Sequence, residues 1–309
     1  MLTIYQSPND DQLIQIDHFE KGVWINLVNP TEEEINTVVE NTQIYSEFIR
    51  YPLDDEERPH IEFEDNQLLI IISVPIIQNA DVMYDTIPLG IIHTENYLVT
   101  ICLRDLDLIK EFTQRKVKGL ATYKKTRFLL QILYKNAILY LKYLRQIDKK
   151  STELELELHK SVRNKELIAL LNQEKALVFF TTSLRSNEIV LEKLLRGKFV
   201  KMYEEDEDLL EDVIIENKQA IEMADIYSNI LSNTMDAFAS LISNNLNIVM
   251  KYLAIVTIIL ALPTMVASFF GMNFALPFQS SPYGFTIAVV ISLLLSVTGA
   301  IFLIRKKLF

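Results

Sequence analysis

Residues 252–304, close to the C-terminus, contain no Asp, Glu, Lys or Arg. A helix needs about 20 predominantly apolar residues to cross the hydrocarbon core of a bilayer. Residues 252–270 and 284–304 each provide one such segment, and the stretch between them carries Pro277, Gln279 and Pro282. The sequence therefore predicts two membrane-spanning helices. A loop at residues 273–283 joins them, and the second span and a basic cytosolic tail occupy residues 284–309.

The charged residues are confined almost entirely to the part before these spans. All 41 acidic and 27 of the 30 basic residues lie in residues 1–251, which gives this part a net charge of −14. Lys251 precedes the first span, and Arg305, Lys306 and Lys307 follow the second. Positive residues beside a span favour the cytoplasmic side. We therefore expect a multi-pass protein of the cell membrane with both termini in the cytoplasm.

Composition also argues against several classes of function. The acidic surface disfavours nucleic acid as a partner, and a lone cysteine, Cys102, fits a reducing compartment. Residues 1–13 have neither the basic nor the apolar segment of a signal peptide. With 7 Gly in 309 residues, a glycine-rich phosphate loop is not expected, so no organic cofactor is predicted. No nucleophile–base pair stands out, and we do not expect an enzyme.

Residues 1–105 are predicted to form an α+β cytosolic domain. Thr31 and Glu34 have the spacing of a capping box, so a short helix is expected over about residues 31–41. Short apolar or β-branched runs bounded by turn signals predict strands, which we expect to form a small sheet with helices against it. These runs lie at residues 2–5, 13–16, 22–28, 60–63, 68–74, 87–93 and 98–103.

Long helices are expected after this domain. Residues 106–206 lack strand signals and predict an antiparallel pair of helices, over 128–159 and 164–196. Neither Gly nor Pro occurs from residue 202 to 262, so a further helix is expected over about 207–271, within a region bounded at 207–272. At about 1.5 Å per residue it would be on the order of 100 Å long. It would therefore continue from the cytosol into the membrane as the first span.

A stripe of mostly small or polar residues follows one face of this long helix, at alternating steps of four and three residues. In the membrane half alone, close helix packing is an alternative explanation that stays open. The continuation of the stripe as Asn and Asp in the cytosolic half favours water at the centre of a bundle. One hairpin cannot enclose a water-filled path, so several copies must assemble in a ring. The stripe comprises Asn229, Asn233, Asp236, Ser240, Ser243, Asn247, Met250, Ala254, Thr257, Ala261, Thr264, Ser268 and Gly271.

The membrane end of the stripe offers uncharged oxygens, from Thr264, Ser268 and Asn273. Mg²⁺ keeps several water ligands when it is bound, and amide or hydroxyl oxygens can hydrogen-bond to those waters without displacing them. Rings of Met250 and Leu253 near the cytoplasmic end of the span would close such a path by dewetting. These residues indicate a path for a hydrated divalent cation.

The tripeptide Gly271-Met272-Asn273 closes the first span and is followed by a short loop, a second span and a basic tail. This arrangement resembles the CorA family of divalent-cation channels. The resemblance extends over essentially the whole chain. Further matching stretches are the acidic segment 54–59, which ends in Arg-Pro, and Ser243-Asn244 with Asn247.

The resemblance implies a funnel-shaped homopentamer that conducts Mg²⁺, and often Co²⁺ or Ni²⁺, into the cytosol down the electrochemical gradient. It also implies that cytosolic Mg²⁺ bound between subunits keeps the channel closed. Asn273 would then form the ring that first binds the hydrated ion. The residues expected from the stripe and the resemblance together are Gly271, Met272, Asn273, Thr264, Ser268 and Asn247 for the pore, Met250 and Leu253 for the gate, and Asp212 with Asp54 or Asp55 for the regulatory metal.

One departure from the family pattern concerns the choice of ion. Many members carry an acid in the external loop, whereas residues 275–282 contain no carboxylate. A Zn²⁺ transporter of the same superfamily is therefore one alternative, although Zn²⁺ favours His and Cys ligands and none of the four histidines lies in the spans. A membrane-anchored metal sensor that conducts nothing is a second alternative.

Overall fold

The computed structural model describes residues 1–10, 12–78, 83–114, 117–160, 164–272 and 282–305. The chain divides into two compact units, Met1–Thr234 and Met235–Phe309. The first unit contains a mixed sheet and long helices, and the second contains two apolar helical segments. The finer domain boundaries expected from the sequence, at residues 105, 206, 272 and 283, stay predictions.

Every strand run expected from the sequence forms a strand, and the described strands make one sheet in the order β2-β1-β3-β7-β6-β5-β4. All neighbouring strands are antiparallel except β3 and β7, which run parallel with Trp24 opposite Leu98. The sheet is therefore mixed. Its strands are β1 Leu2–Gln6, β2 Ile14–Ile16, β3 Trp24–Val28, β4 His60–Glu64, β5 Gln67–Ile77, β6 Tyr84–His93 and β7 Leu98–Cys102.

Helix α1, Glu32–Thr42, begins at the predicted capping box. The Thr31 hydroxyl accepts from the Glu34 N–H at 3.3 Å, and the Glu34 carboxylate accepts from the Thr31 N–H at 2.9 Å. The same carboxylate also accepts from the Leu2 N–H at 2.8 Å, so the cap joins α1 to β1. Two short helices, α2 Ser46–Arg50 and α3 Asp107–Thr113, were not expected from the sequence.

Successive side chains of a strand lie on opposite faces of the sheet, and helices cover both faces. Ile25 and Leu27 belong to the buried cluster that includes Ile35 of α1. Trp24 is fully buried and packs edge-on against Phe128, with ring centroids 5.0 Å apart. Phe128 belongs to α4, Lys125–Lys160, which packs with α5, Asn164–Gly197. The predicted pair of long helices is confirmed.

A buried polar network joins these two helices to β5. Strand β4 pairs with β5 only as far as Ile71, so Ser73 has no strand partner on that side. Asn187 of α5 takes that place: its Oδ1 accepts from the Ser73 N–H at 2.9 Å, and its Nδ2 donates to the Ser73 carbonyl at 2.9 Å. Asn136 and Tyr140 of α4 donate to the same carbonyl.

The last two helices are α6, Glu204–Phe270, and α7, Gly284–Arg305. Each contains a segment long and apolar enough to cross a membrane. Helix α6 is uninterrupted despite Pro263, and it begins within a few residues of the predicted position. Its first turn is acidic, which suits the positive end of a helix dipole. The expected long helix is therefore confirmed, and the apolar segment at its C-terminal end is a candidate membrane span.

Candidate functional site

The polar stripe of α6 is exposed along its whole length. Every stripe residue from Asn229 to Gly271 is solvent-exposed in the single chain. In the membrane half, the stripe borders an open groove of about 440 Å³ lined by Thr257, Leu260, Ala261, Thr264, Met265 and Ser268. This face of α6 is therefore available to another molecule or to water.

Helix α7 lies against the opposite face of α6. Val266 is 8% exposed, and Ile259 and Leu262 are partly buried. A Cβ atom added at Gly299 of α7 would lie 3.1 Å from Cδ1 of Leu262, so the two helices approach closely there. The hydroxyl of Ser296 donates to the Ile259 carbonyl at 3.5 Å. Packing against the second span of the same chain therefore does not account for the stripe.

The threonine hydroxyls of the stripe have a defined hydrogen-bond direction. Thr257 Oγ1 donates to the Leu253 carbonyl at 2.8 Å, and Thr264 Oγ1 donates to the Leu260 carbonyl at 3.1 Å. A hydroxyl has one proton to donate and two lone pairs that accept. Because the proton is used within the helix, each oxygen faces its surroundings as an acceptor.

The two expected gate residues are also exposed in the single chain. Met250 is 55% exposed and Leu253 is 59% exposed. Both lie on α6, just after its polar N-terminal part and beside Lys251. Large apolar side chains at such positions can form a constriction only if copies of the helix surround a common axis.

The signature tripeptide is described in part. The Gly271 N–H donates to the Ala267 carbonyl at 3.0 Å and to the Ser268 carbonyl at 3.2 Å, and the Met272 N–H donates to the Phe269 carbonyl at 3.2 Å. Helix α6 thus ends in a tightened turn. Asn273 and the loop after it, through residue 281, lie outside the described residues. The role expected of Asn273 stays a prediction.

The expected regulatory carboxylates are exposed and are not assembled into a metal site within one chain. Asp54, Asp55 and Asp212 are all exposed. Asp54 Oδ1 accepts from the Glu56 N–H at 3.0 Å, whereas Asp55 and Asp212 have no ion pair among the described residues. The described part of the chain contains no group of three or more His, Cys, Asp or Glu side chains that could hold a metal ion.

The four histidines lie apart from one another and each has a local partner. Burial lowers the pKa of His93 to about 4, and its Nε2 lies 3.4 Å from Thr126 Oγ1. The other three are beside carboxylates: His18 near Asp17, His60 near Glu57 and His159 near Glu155. Among the described residues, no histidine belongs to a group of three or more side chains that could hold a metal ion.

Comparison with known proteins agrees with this architecture. The family model described as "CorA-like Mg2+ transporter protein" matches residues 19–306. The chain belongs to the CorA family. It is 28% identical over 302 residues to the cobalt/magnesium transport protein CorA of Methanocaldococcus jannaschii, with 94% of each chain covered.

Solved structures extend this comparison to three dimensions. The complete structure of the CorA magnesium transporter from Methanocaldococcus jannaschii matches with a TM-score of 0.85 at 26% identity, covering 100% of this chain and 99% of that one. The ZntB cytoplasmic domain from Vibrio parahaemolyticus matches with a TM-score of 0.63 at 15% identity, covering 78% of this chain and 98% of that one. The second likeness shows a shared fold alone.

The family membership confirms the resemblance and the fold class read from the sequence: an N-terminal domain with a mixed sheet, long helices, and two C-terminal helices suited to a membrane. This CorA-family chain is thus a membrane protein of a transporter family and not of an enzyme family. The sequence analysis did not identify Ser296, whose hydroxyl contacts the Ile259 carbonyl of α6, because this contact depends on how α7 packs against α6.

Proposed function

We propose that this CorA-family protein forms a homopentameric channel for the passive entry of Mg²⁺, and also Co²⁺ and Ni²⁺, into the cytosol. The observation that carries the proposal is the exposed stripe of α6, whose hydroxyl oxygens face outward as acceptors. The printed names of its relatives, a cobalt/magnesium transport protein and a magnesium transporter, support this choice of ions. The basic residues beside the spans support cytoplasmic termini.

The direction of the threonine hydroxyls fits a hydrated cation. Waters bound to a cation point their hydrogens outward, so the wall of a pore for such an ion must accept hydrogen bonds. Thr257 and Thr264 do so because their own protons are already donated to the helix backbone. Mg²⁺ dehydrates reluctantly, and a lining of neutral acceptors lets it keep its water shell. An anion would meet the wrong end of these hydroxyl groups.

The remaining pore residues have roles that follow from their place on the stripe. Asn273, which follows Gly271 and Met272 in the sequence, would form the outer ring that selects the hydrated ion. Ser268 and Asn247 would continue the acceptor lining toward the cytosol. Rings of Met250 and Leu253 would form the gate, since an apolar constriction stops ions when it loses water.

We further propose that Mg²⁺ closes the channel by binding between subunits, with Asp212 of one copy facing Asp54 or Asp55 of its neighbour. These carboxylates are exposed, and no three-residue metal cluster exists within the described part of one chain. Asp55 is the better candidate, because one carboxylate oxygen of Asp54 already accepts from the backbone. A cytosolic part with a net charge of −14 repels its copies unless divalent cations neutralise it.

Ion flux into proteoliposomes tests the proposed function. Proteoliposomes that contain the purified protein should take up Mg²⁺, Co²⁺ and Ni²⁺, and Asn273→Ala should abolish this uptake. Thr264→Val keeps the side-chain shape but removes an acceptor from every subunit, so we expect Mg²⁺ flux to fall at least about tenfold. Thr298→Val is the matched control, since the Thr298 hydroxyl donates within α7 to the Leu294 carbonyl.

The two alternatives give different results in the same assay. A Zn²⁺ transporter would take up Zn²⁺ without Mg²⁺ flux. A metal sensor that conducts nothing would show no flux of Mg²⁺, Co²⁺, Ni²⁺ or Zn²⁺ into proteoliposomes. In cells that contain the protein, Asn273→Ala would then leave Mg²⁺ uptake unchanged. Equal flux through Thr264→Val and Thr298→Val would contradict the acceptor lining even if the protein conducts Mg²⁺.

A further inference from the structure

Pro263 interrupts the backbone hydrogen bonding of α6 in its membrane half. In an α-helix each N–H donates to the carbonyl four residues earlier, so the carbonyl that loses its donor to the proline is that of Ile259. Within the hydrocarbon region of a bilayer no water replaces the lost donor, and an unsatisfied carbonyl is costly. A donor from a neighbouring helix would remove that cost.

Ser296 of α7 provides such a donor. Its hydroxyl donates to the Ile259 carbonyl in a long hydrogen bond, with the two oxygens 3.5 Å apart. The other serine and threonine hydroxyls of α7 with a described bond behave differently: Ser292 donates to the Ala288 carbonyl at 2.8 Å, and Thr298 donates to the Leu294 carbonyl at 2.6 Å. A helical serine normally bonds back to its own helix in this way. The Ser296 hydroxyl instead donates across to α6, and its acceptor is the carbonyl that loses its helical donor to Pro263.

The two helices are packed closely enough for this bond to be maintained. One turn after Ser296, Gly299 brings the backbone of α7 within van der Waals reach of Leu262, which precedes Pro263. Ser296 is partly buried at this contact, as are Ile259 and Leu262. Small residues at such a seam allow backbones to approach and side chains to bond across helices.

We propose that Ser296 is a positioning residue of the pore helix, supplying the hydrogen bond that Pro263 removes and fixing α6 where its backbone is interrupted. Thr257 precedes the interruption, and Thr264 and Ser268 follow it. A twist of α6 at Pro263 would rotate the hydroxyl groups of Thr264 and Ser268 away from the face that carries the Thr257 hydroxyl. The effect on transport rests on the proposed function, whereas the hydrogen bond itself does not.

A double-mutant cycle on the full-length protein tests this pairing. Ser296→Ala, Pro263→Ala and the double variant are compared with the parent by thermal unfolding in lipid nanodiscs and by Mg²⁺ flux into proteoliposomes. Ser296→Ala alone should lower the Tm by a few degrees and the flux by about threefold, the loss that one interhelical hydrogen bond in a membrane corresponds to. Pro263→Ala restores a backbone N–H at that position as the donor to the Ile259 carbonyl. In that background, Ser296→Ala should change neither quantity measurably.

Two further variants separate the bond from general packing. Ser292→Ala removes a hydroxyl that bonds within α7 and should leave Tm and flux unchanged. Ser296→Thr keeps a hydroxyl at the position and should restore most of what Ser296→Ala loses. The proposal would be overturned if Ser296→Ala lowered Tm and flux equally in the parent and in the Pro263→Ala background. It would also be overturned if Ser292→Ala lowered them as much as Ser296→Ala does. The Tm values can be measured whether or not the protein transports ions. If the protein conducts nothing, the proposed function is refuted, but the Tm values of the four proteins still test the hydrogen bond.

Discussion

His93 lies at the end of β6, where a neutral ring is required. Burial lowers its pKa to about 4, nearby Lys125 adds to that effect, and Nε2 lies 3.4 Å from Thr126 Oγ1. In the unfolded chain a histidine has a pKa of about 6.5. Between these two values the unfolded chain binds a proton that the folded chain does not.

The sign of the pH dependence follows from that difference. The contribution of His93 to the free energy of unfolding is fully present above about pH 6.5 and is lost as the pH falls toward 4. The loss is at most about 3 kcal/mol. Trp24 is the only tryptophan and is buried in the sheet, so its fluorescence reports unfolding of this unit in urea. We expect His93→Gln to be less sensitive to acid than the parent between pH 6.5 and 4.5.

His18→Gln is the control for this measurement, because His18 is exposed. Its slope should stay closer to that of the parent than the slope of His93→Gln does. Carboxylates that titrate in the same range are common to all three proteins and cancel in the comparison. An unchanged slope in His93→Gln would mean that His93 is accessible to protons in the folded protein.

At the same scale, the sequence predicted residues that act on near neighbours and missed those that act across the fold. Thr31 and Glu34 are three residues apart, so their capping box is visible in the sequence. Asn187 bonds Ser73, 114 residues away. Its partner depends on β4 ending its pairing at Ile71, which no local pattern reveals. Ser296 was missed for the same reason, since its partner depends on how α7 is rotated against α6.

At the scale of elements, α6 combines a regular period with great length. Its stripe follows a 3.5-residue repeat. Each residue of an α-helix is rotated by about 100° about the helix axis relative to the one before it. Seven inserted residues make nearly two whole turns and return the stripe to its original face. One inserted residue turns everything after it by about 100°.

Insertions between Asn245 and Leu246 therefore test whether one continuous face serves the pore. This position precedes the contacts of α6 with α7 at Ile259 and Leu262, so neither insertion disturbs them. We expect a one-alanine insertion to reduce Mg²⁺ flux at least about tenfold and a seven-residue helical insertion to retain a substantial part of it. Size-exclusion chromatography checks that both variants assemble like the parent. Equal flux through both insertions would show that the direction of the stripe is unimportant.

Long periodic elements were predicted well, and short or interrupted ones were not. Helix α6 was expected over about 207–271 and runs from Glu204 to Phe270. Helices α2 and α3 are too short to show a helical period. Strand β5 was expected to end at residue 74, before Pro75, but it continues to Ile77. Beyond Ile71 it has no strand partner on the β4 side, and proline is tolerated at such an edge.

At the scale of the whole molecule, the charge distribution leads us to expect that the proposed assembly depends on cations. The acidic residues all lie before residue 252, so the proposed ring of subunits would bring several strongly negative N-terminal parts together. Divalent cations bound between these parts would offset the repulsion, and we expect their removal to loosen the ring. The family resemblance implied this dependence, the net charge of the chain gives a physical reason for it, and it stays a prediction. The sequence left the choice between Asp54 and Asp55 open; the backbone hydrogen bond that Asp54 accepts, which favours Asp55 in our proposal, appears only in the folded chain.

Limited proteolysis of the full-length protein over a range of Mg²⁺ concentrations tests which carboxylates bind the cation. Asp212→Asn and Asp55→Asn should each raise the Mg²⁺ concentration for half-maximal protection by about tenfold. If both side chains hold the same ion, the double variant should lose little more than either single one, because effects at a shared site are not additive. Glu222→Gln removes the same charge from an exposed position of α6 and should change nothing. An equal shift in Glu222→Gln would mean that Mg²⁺ acts by general screening, and additive shifts would place Asp212 and Asp55 at separate ions.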